Sequence, residues 1–153
     1  MPDLPIRSAR REDLPAIVAL LADDAIGAAR ECPAEPLDPC YVAAFEAIEA
    51  DSRNELFVLE EEGRLLGCFQ LTYLPCLSAQ GTERAQIESV RIASSARGRG
   101  LGERMLRWAM QRAQARGCTA MQLASDKRRT DARRFYERLG FTASHEGMKR
   151  PLG

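Results

Sequence analysis

The stretch Val90-Arg91-Ile92-Ala93-Ser94-Ser95-Ala96-Arg97-Gly98-Arg99-Gly100-Leu101-Gly102 concentrates residues that can do chemistry. It reads as a strand that ends, a glycine-rich turn, and a helix that begins. The first turn of a helix has unpaired N–H groups and the positive end of the helix dipole, so it binds phosphate. Glycines at 98, 100 and 102 let the backbone approach an anion, and Arg97 and Arg99 add charge. A nucleotide-hydrolysing phosphate loop needs Gly-Lys-Ser/Thr, which is missing here. A dinucleotide fingerprint needs Gly-x-Gly-x-x-Gly, and these glycines are spaced differently.

The spacing does match Arg/Gln-x-x-Gly-x-Gly/Ala, with Arg97, Gly100 and Gly102 at the fixed places. Further on, Asp131-Ala132-Arg133-Arg134-Phe135-Tyr136-Glu137-Arg138-Leu139-Gly140-Phe141 contains Ala-x-x-Phe-Tyr-x-x-x-Gly-Phe. Together these motifs resemble the GNAT superfamily of acetyl-CoA-dependent N-acetyltransferases. The opening, Ile6-Arg7-Ser8-Ala9 through Asp13-Leu14-Pro15, is similar to that family's first strand and helix. The resemblance covers nearly the whole chain and is most specific over residues 85–141.

The resemblance implies one domain over residues 1–153 with an α/β (α+β) fold. That fold is a central mixed, twisted sheet of six or seven strands flanked by about four helices. Acetyl-CoA, as co-substrate, would lie where two parallel strands splay apart near Ile92 and Ala124. Strand amides near Val90, Arg91 and Ile92 would hold the pantetheine arm and polarise the thioester carbonyl. The backbone of Arg97, Gly98, Arg99, Gly100, Leu101 and Gly102 would hold the pyrophosphate, with Phe135 beside the cofactor. Arg99, Arg129 and Arg138 are the arginines placed to meet its phosphates. No metal is expected.

Tyr136 falls where the family commonly keeps its general acid. A phenol, with a pKa of about 10, is protonated at neutral pH and can donate to a departing thiolate of pKa about 8.5. The plainer reading makes Tyr136 one member of a core stripe with Ala132, Phe135 and Leu139. Glu88 resembles the place where several members carry a base for the attacking amine, with Glu83 a weaker candidate; the plainer reading is a solvated strand glutamate. One departure is Arg129, at a position where many relatives have an asparagine that holds pantetheine.

The elements that must position these residues follow from periodicity. A strand at 4–7 precedes a helix over 11–30 with Leu14, Ile17, Val18 and Leu21 at helical spacing, and a second helix spans 41–50. Strands at 56–59 and 65–73 turn at Glu62-Gly63, and another spans 85–92. Strict alternation in that last strand puts Gln86, Glu88, Val90 and Ile92 on one face and Ile87, Ser89 and Arg91 on the other. A helix over 101–116 buries Leu101, Met105, Leu106, Ala109 and Ala113. A strand at 120–124, a helix ending at Gly140 and a final strand over 141–150 complete the pattern.

Composition narrows the classes. The chain has 153 residues, 45% hydrophobic and 29% charged, as in an ordinary folded protein. Its longest strictly apolar run is residues 16–22, whereas a membrane span needs about 20. With no secretory-leader pattern at its start, the chain reads as soluble and cytoplasmic. Five cysteines without a Cys-x-x-Cys pair argue against a disulfide framework, and one histidine, His145, argues against zinc or a histidine-based triad. His145 reads as a partly exposed strand residue.

Residues 1–76 hold 6 basic and 15 acidic side chains, and residues 77–153 hold 16 and 7. Of the 22 basic residues 20 are arginine, which suits a phosphate-bearing partner. Arg97-Gly98-Arg99-Gly100 is too short for an RGG-type nucleic-acid patch, so no nucleic acid is expected. The acceptor is expected to be a small-molecule amine. Asp23, Asp24, Glu31, Glu35 and Asp38 favour a cationic one. Ser125-Asp126-Lys127-Arg128 together with residues 131–136 resembles a small-molecule branch that includes aminoalkylphosphonate acetyltransferases, which favours an anionic one. A homodimer is a family-level expectation, and a catalytically silent acetyl-CoA-binding or regulatory module is the alternative.

Overall fold

The structure, a computed structural model, describes residues 3–153. Its elements are β1 (Ile6–Ser8), α1 (Leu14–Leu21), α2 (Ala25–Arg30), α3 (Pro39–Ala50), β2 (Asn54–Glu61) and β3 (Arg64–Pro75). A single turn α4 (Ser78–Gly81), β4 (Glu83–Ile92), α5 (Leu101–Arg116), β5 (Ala120–Gln122) and α6 (Thr130–Arg138) follow. The five strands lie in sequence order, antiparallel except for the β4–β5 pair. The β2–β3 turn works because Glu62 and Gly63 both take positive φ (51° and 75°), the twist that a tight hairpin requires.

Alternation along β2 and β3 sends side chains to two separate cores. Phe57, Leu59, Phe69 and Leu71 pack under Met105 and Leu106 of α5, while Val58 and Cys68 pack under Leu14, Ile17 and Phe45 of α1 and α3. The expected α5 stripe is the buried one, Leu101, Met105, Leu106, Ala109 and Ala113. Each fully buried Leu or Met contributes about 1.5–3 kcal/mol. This helix is therefore anchored firmly enough to present its N-terminus in a fixed place.

Three expectations are corrected. The helix expected over 11–30 is two helices, because the Asp24 carboxylate accepts a bond from the Gly27 amide (2.6 Å) and starts α2 afresh. Gly27 permits the elbow, since a Cβ there would sit 1.9 Å from the Leu21 carbonyl oxygen. The final strand expected over 141–150 does not form, so the sheet has five strands rather than six or seven. Residues 142–153 are polar, broken by Gly147 and Pro151, and exposed throughout, so they bury too little apolar surface to hold a strand. His145 accordingly lies on exposed chain beside Ser144, not in a strand.

The third correction matters most. Cys68 pairs with Arg91 and Gln70 with Glu88, so Phe69 alone faces both Ser89 and Val90. This is a β-bulge, with Ser89 at φ 56°. The extra residue flips the alternation: Val90 and Ile92 join Ala85 and Ile87 against the α5 core, and Arg91 lies across from Cys68 on the opposite face.

Candidate active site

β4 and β5 pair only at Arg84↔Ala120, Ala85↔Met121 and Gln86↔Gln122. Beyond Gln86, β4 continues to Ile92 with no strand on that edge among the described residues. Its outward backbone groups are left without a ladder partner there. A cavity of about 720 Å³ opens beside this free edge.

One wall of the cavity is apolar, from Val90, Ile92, Phe135 and Leu139. Another is the loop into α5, where Gly98 (φ 81°) and Gly100 (φ 72°) take left-handed backbone. Nothing lies within 4 Å of where their Cβ atoms would be, so backbone faces open space. No side chain caps the start of α5, and Leu101, Gly102 and Glu103 line the cavity. Its first-turn N–H groups are thus free for an anion. Gly102 also lets Phe135 pack closely, since a Cβ there would lie 3.4 Å from the ring.

Val90, Ile92, Arg97, Gly98, Gly100, Leu101, Gly102, Phe135 and Tyr136 are brought together around this space. Arg138 lines it as well, with Ala96, Glu103 and Leu139, which sequence reasoning did not assign to the site. Leu139, four positions after Phe135, was detectable from the helical stripe; Ala96 and Glu103 had no such signal. Arg91, Arg99, Arg129 and Glu88 stand elsewhere. Arg99 is exposed and forks onto Glu61 (3.1 and 3.0 Å). Glu88 is exposed, three positions before Arg91, and its Oε1 accepts from Gln86 Nε2 at 3.4 Å. Arg129 pairs with Asp24.

Tyr136 joins the two sides of β4. Its ring meets Phe135 and Phe141 edge-on at 5.2 and 5.8 Å. Burial pushes its phenol above the ordinary value, opposed by the positive charges of Arg91 and Arg129. The group is a neutral proton donor across the neutral range. Most of the acidic residues of the first helices are already engaged. Asp23 accepts from the Ser94 amide (3.2 Å), Glu31 from Tyr41 Oη (3.1 Å) and Arg30 (2.7 Å), and Asp38 from the Cys40 amide (2.9 Å).

Known proteins resemble the chain in sequence and in fold. The sequence profile of the acetyltransferase (GNAT) family matches residues 14–141. A crystal structure of a transcriptional regulator from Bacillus halodurans C-125 is 47% identical, covering 98% of this chain and 100% of that one, with a TM-score of 0.94. An acetyltransferase from Trypanosoma brucei is 26% identical over 98% of this chain and 100% of its own, with a TM-score of 0.76. A predicted acetyltransferase from Clostridium acetobutylicum, solved with acetyl-CoA, shares the fold at 18% identity, covering 98% of this chain and 97% of its own, with a TM-score of 0.75. No curated protein matches the chain. With both motifs on the walls of one cavity and the profile spanning most of its length, the chain belongs to the GNAT acetyltransferase family.

Proposed function

We propose that the protein moves the acetyl group of acetyl-CoA to a primary amine of a small molecule, by direct attack within a ternary complex. The observation that carries this reading is the convergence of the glycine loop, the uncapped start of α5 and Tyr136 on one cavity. The residues present fit the cofactor: positive-φ glycines open onto the space, and the free β4 edge runs alongside it. Acetyl-CoA supplies an activated thioester.

The amides at the start of α5 and Arg138 hold the pyrophosphate, and the apolar wall of Val90, Ile92 and Phe135 holds the arm. Unpaired β4 amides near Val90 and Ile92 stabilise negative charge as it develops on the carbonyl oxygen. Tyr136 delivers a proton to the departing sulfur, since its phenol keeps that proton until the thiolate forms. An alkyl amine, protonated near neutrality, must first lose a proton, and Glu88 takes it through water.

A second reading is favoured by one observation: the relative at 47% identity is named a transcriptional regulator. In that reading the chain is a silent acetyl-CoA-binding or regulatory module. Retention of Tyr136 on the cavity favours the enzyme. A thiol-release assay with acetyl-CoA and a panel of amines separates the two. Turnover by the wild type, with Glu88→Gln lowering kcat about tenfold or more, supports the enzyme. A melting temperature raised by acetyl-CoA without turnover supports the module. Salt-sensitive DNA binding would point the same way. We further take the protein to be cytoplasmic and a homodimer, the unpaired outer edge of β5 being its available seam; sedimentation at micromolar concentration tests the dimer.

A further inference from the structure

On the face of β4 opposite the cavity, the chain leaves a positive charge without a carboxylate of its own. Arg91 Nη1 donates to the neighbouring Val90 carbonyl (2.9 Å), while its Nε is buried without a hydrogen-bond partner. A buried donor with nothing to bond is costly, and its retention calls for an explanation. The carboxylate whose charge reaches Arg91 is that of Asp24, already engaged by Arg129 and by the Gly27 amide. Asp24 bonds Arg129 alone of these two guanidinium groups, and Arg91 meets its charge only at longer range. Arg30 adds a third cation nearby, itself bonded to Glu31. The Cys68 thiol across the ladder adds no negative charge, because burial pushes it up to about 12. Asp23, Glu31 and Asp38 are committed elsewhere.

This cationic group bears on the reaction centre, since the charges of Arg91 and Arg129 both act on the Tyr136 hydroxyl. After the bulge, Arg91 shares its face with Glu88. Three residues along a strand separate them by roughly 7–10 Å, the length of a short amino acid with charged ends. An ammonium would be drawn to Glu88 and an oxyanion to Arg91, whose planar fork suits carboxylate, phosphate or phosphonate.

We propose that the acceptor is an amine that also carries an oxyanion, received by the Arg91 guanidinium with Arg129 beside it. The proposal rests on the acetyltransferase reading and adds the substrate class. The engaged state of four of the five acids, Asp23, Asp24, Glu31 and Asp38, argues for this class over a cationic acceptor.

The test measures thiol release with propylamine, 1,3-diaminopropane, β-alanine, phosphoethanolamine and 2-aminoethylphosphonate. The anionic amines should exceed propylamine in kcat/KM by about tenfold or more. Arg91→Met should erase that advantage through KM for the amine, and Arg91→Lys should recover part of it. The KM for acetyl-CoA should move less than about twofold, because the Arg91 side chain faces away from the cofactor cavity. β-Alanine against the two phosphorus compounds tells a planar from a tetrahedral anion. Equal or better turnover of propylamine or the diamine, or an advantage that survives in Arg91→Met, overturns the proposal. If no amine reacts, the melting temperature with β-alanine or inorganic phosphate decides. A rise in the wild type that is lost in Arg91→Met upholds the proposal, and no difference overturns it. Failure of acetyl-CoA itself to raise the melting temperature would instead sink the acetyltransferase reading.

Discussion

The two faces of β4 beyond its bulge are built from opposite materials. The cavity side is mainly backbone and hydrocarbon, with glycines, helix-end amides, Val90, Ile92 and Phe135, and with Arg97, Glu103 and Arg138 at its wall. The other side is charge: Arg91, Arg129, Asp24 and Glu88. A long, flexible cofactor of the proposed kind would be held mainly by backbone shape and helix-end amides, with Arg138 adding charge. The acceptor proposed for the other side would be selected by charged side chains. Tyr136 lines the first side and responds to the field of the second, which makes it the junction.

The largest expected effect is at that junction. Tyr136→Phe keeps the ring contacts to Phe135 and Phe141 and removes only the hydroxyl that would donate the proton. We expect kcat to fall by about a hundredfold or more with acetyl-CoA affinity retained, read from steady-state kinetics and a thermal shift. Loss of affinity instead would make the hydroxyl a binding group.

Gly67→Ala should damage both faces together. Its Cβ would lie 2.9 Å from the Arg91 carbonyl oxygen, 3.0 Å from Ile92 Cδ1 and 3.3 Å from Met105 Sδ. Overpacking of this kind costs about 1–3 kcal/mol, measurable by urea unfolding. The KM values for acetyl-CoA and for the amine should rise together. A rise in only one would mean that the faces are mechanically independent.

Asp24 tests the charged face by pH. Burial raises its carboxyl, but bonds from Arg129 and the Gly27 amide outweigh it and hold the group below the ordinary value. A group lowered on folding contributes stability above its unfolded value, about 3.9, and loses it as pH falls through the folded value. The melting temperature should therefore drop below about pH 4, and Asp24→Asn should flatten that part of the drop. An unchanged slope in the variant would show that the Asp24–Arg129 pair is energetically idle.

The smallest effect is expected at Arg99. It is an exposed partner of Glu61, and solvent screens such pairs so that they contribute little. Arg99→Ala should change the KM for acetyl-CoA by less than about twofold. A tenfold rise would show that Arg99 leaves Glu61 for the cofactor's phosphates, shifting it to the cavity side.

The cavity face was legible in the sequence because its signals are local. A glycine run before an apolar stripe at helical spacing marks a phosphate-binding helix start, and Phe135, Tyr136 and Leu139 share a helix face within one turn. The charged face is not legible in this way, because strict alternation through Ser89 assigns Arg91 to the face of Ile87. A bulge depends on the partner strand, and nothing in residues 85–92 alone shows that Phe69 will oppose two residues. The final strand was expected for the opposite reason, since chain remained after Phe141 but offered little to bury.

The charge split of the two halves has a similar explanation. Asp23, Asp24, Glu55 and Glu61 of the acidic half pair with Arg97, Arg129, Arg112 and Arg99 of the basic half. Four of the 16 basic side chains that read as a surface for an anionic partner are thus paired with the acidic half within the fold. Periodicity and short motifs, which act over one or two turns, are enough to read the family, the glycine loop before α5, the α5 stripe and the candidate acid. The tertiary structure alone decided which face Arg91 takes, and that it goes without a carboxylate while Asp24 and Arg129, 105 residues apart, find each other. Strand register and long-range charge pairing are properties of the packed chain, and no local stretch encodes them.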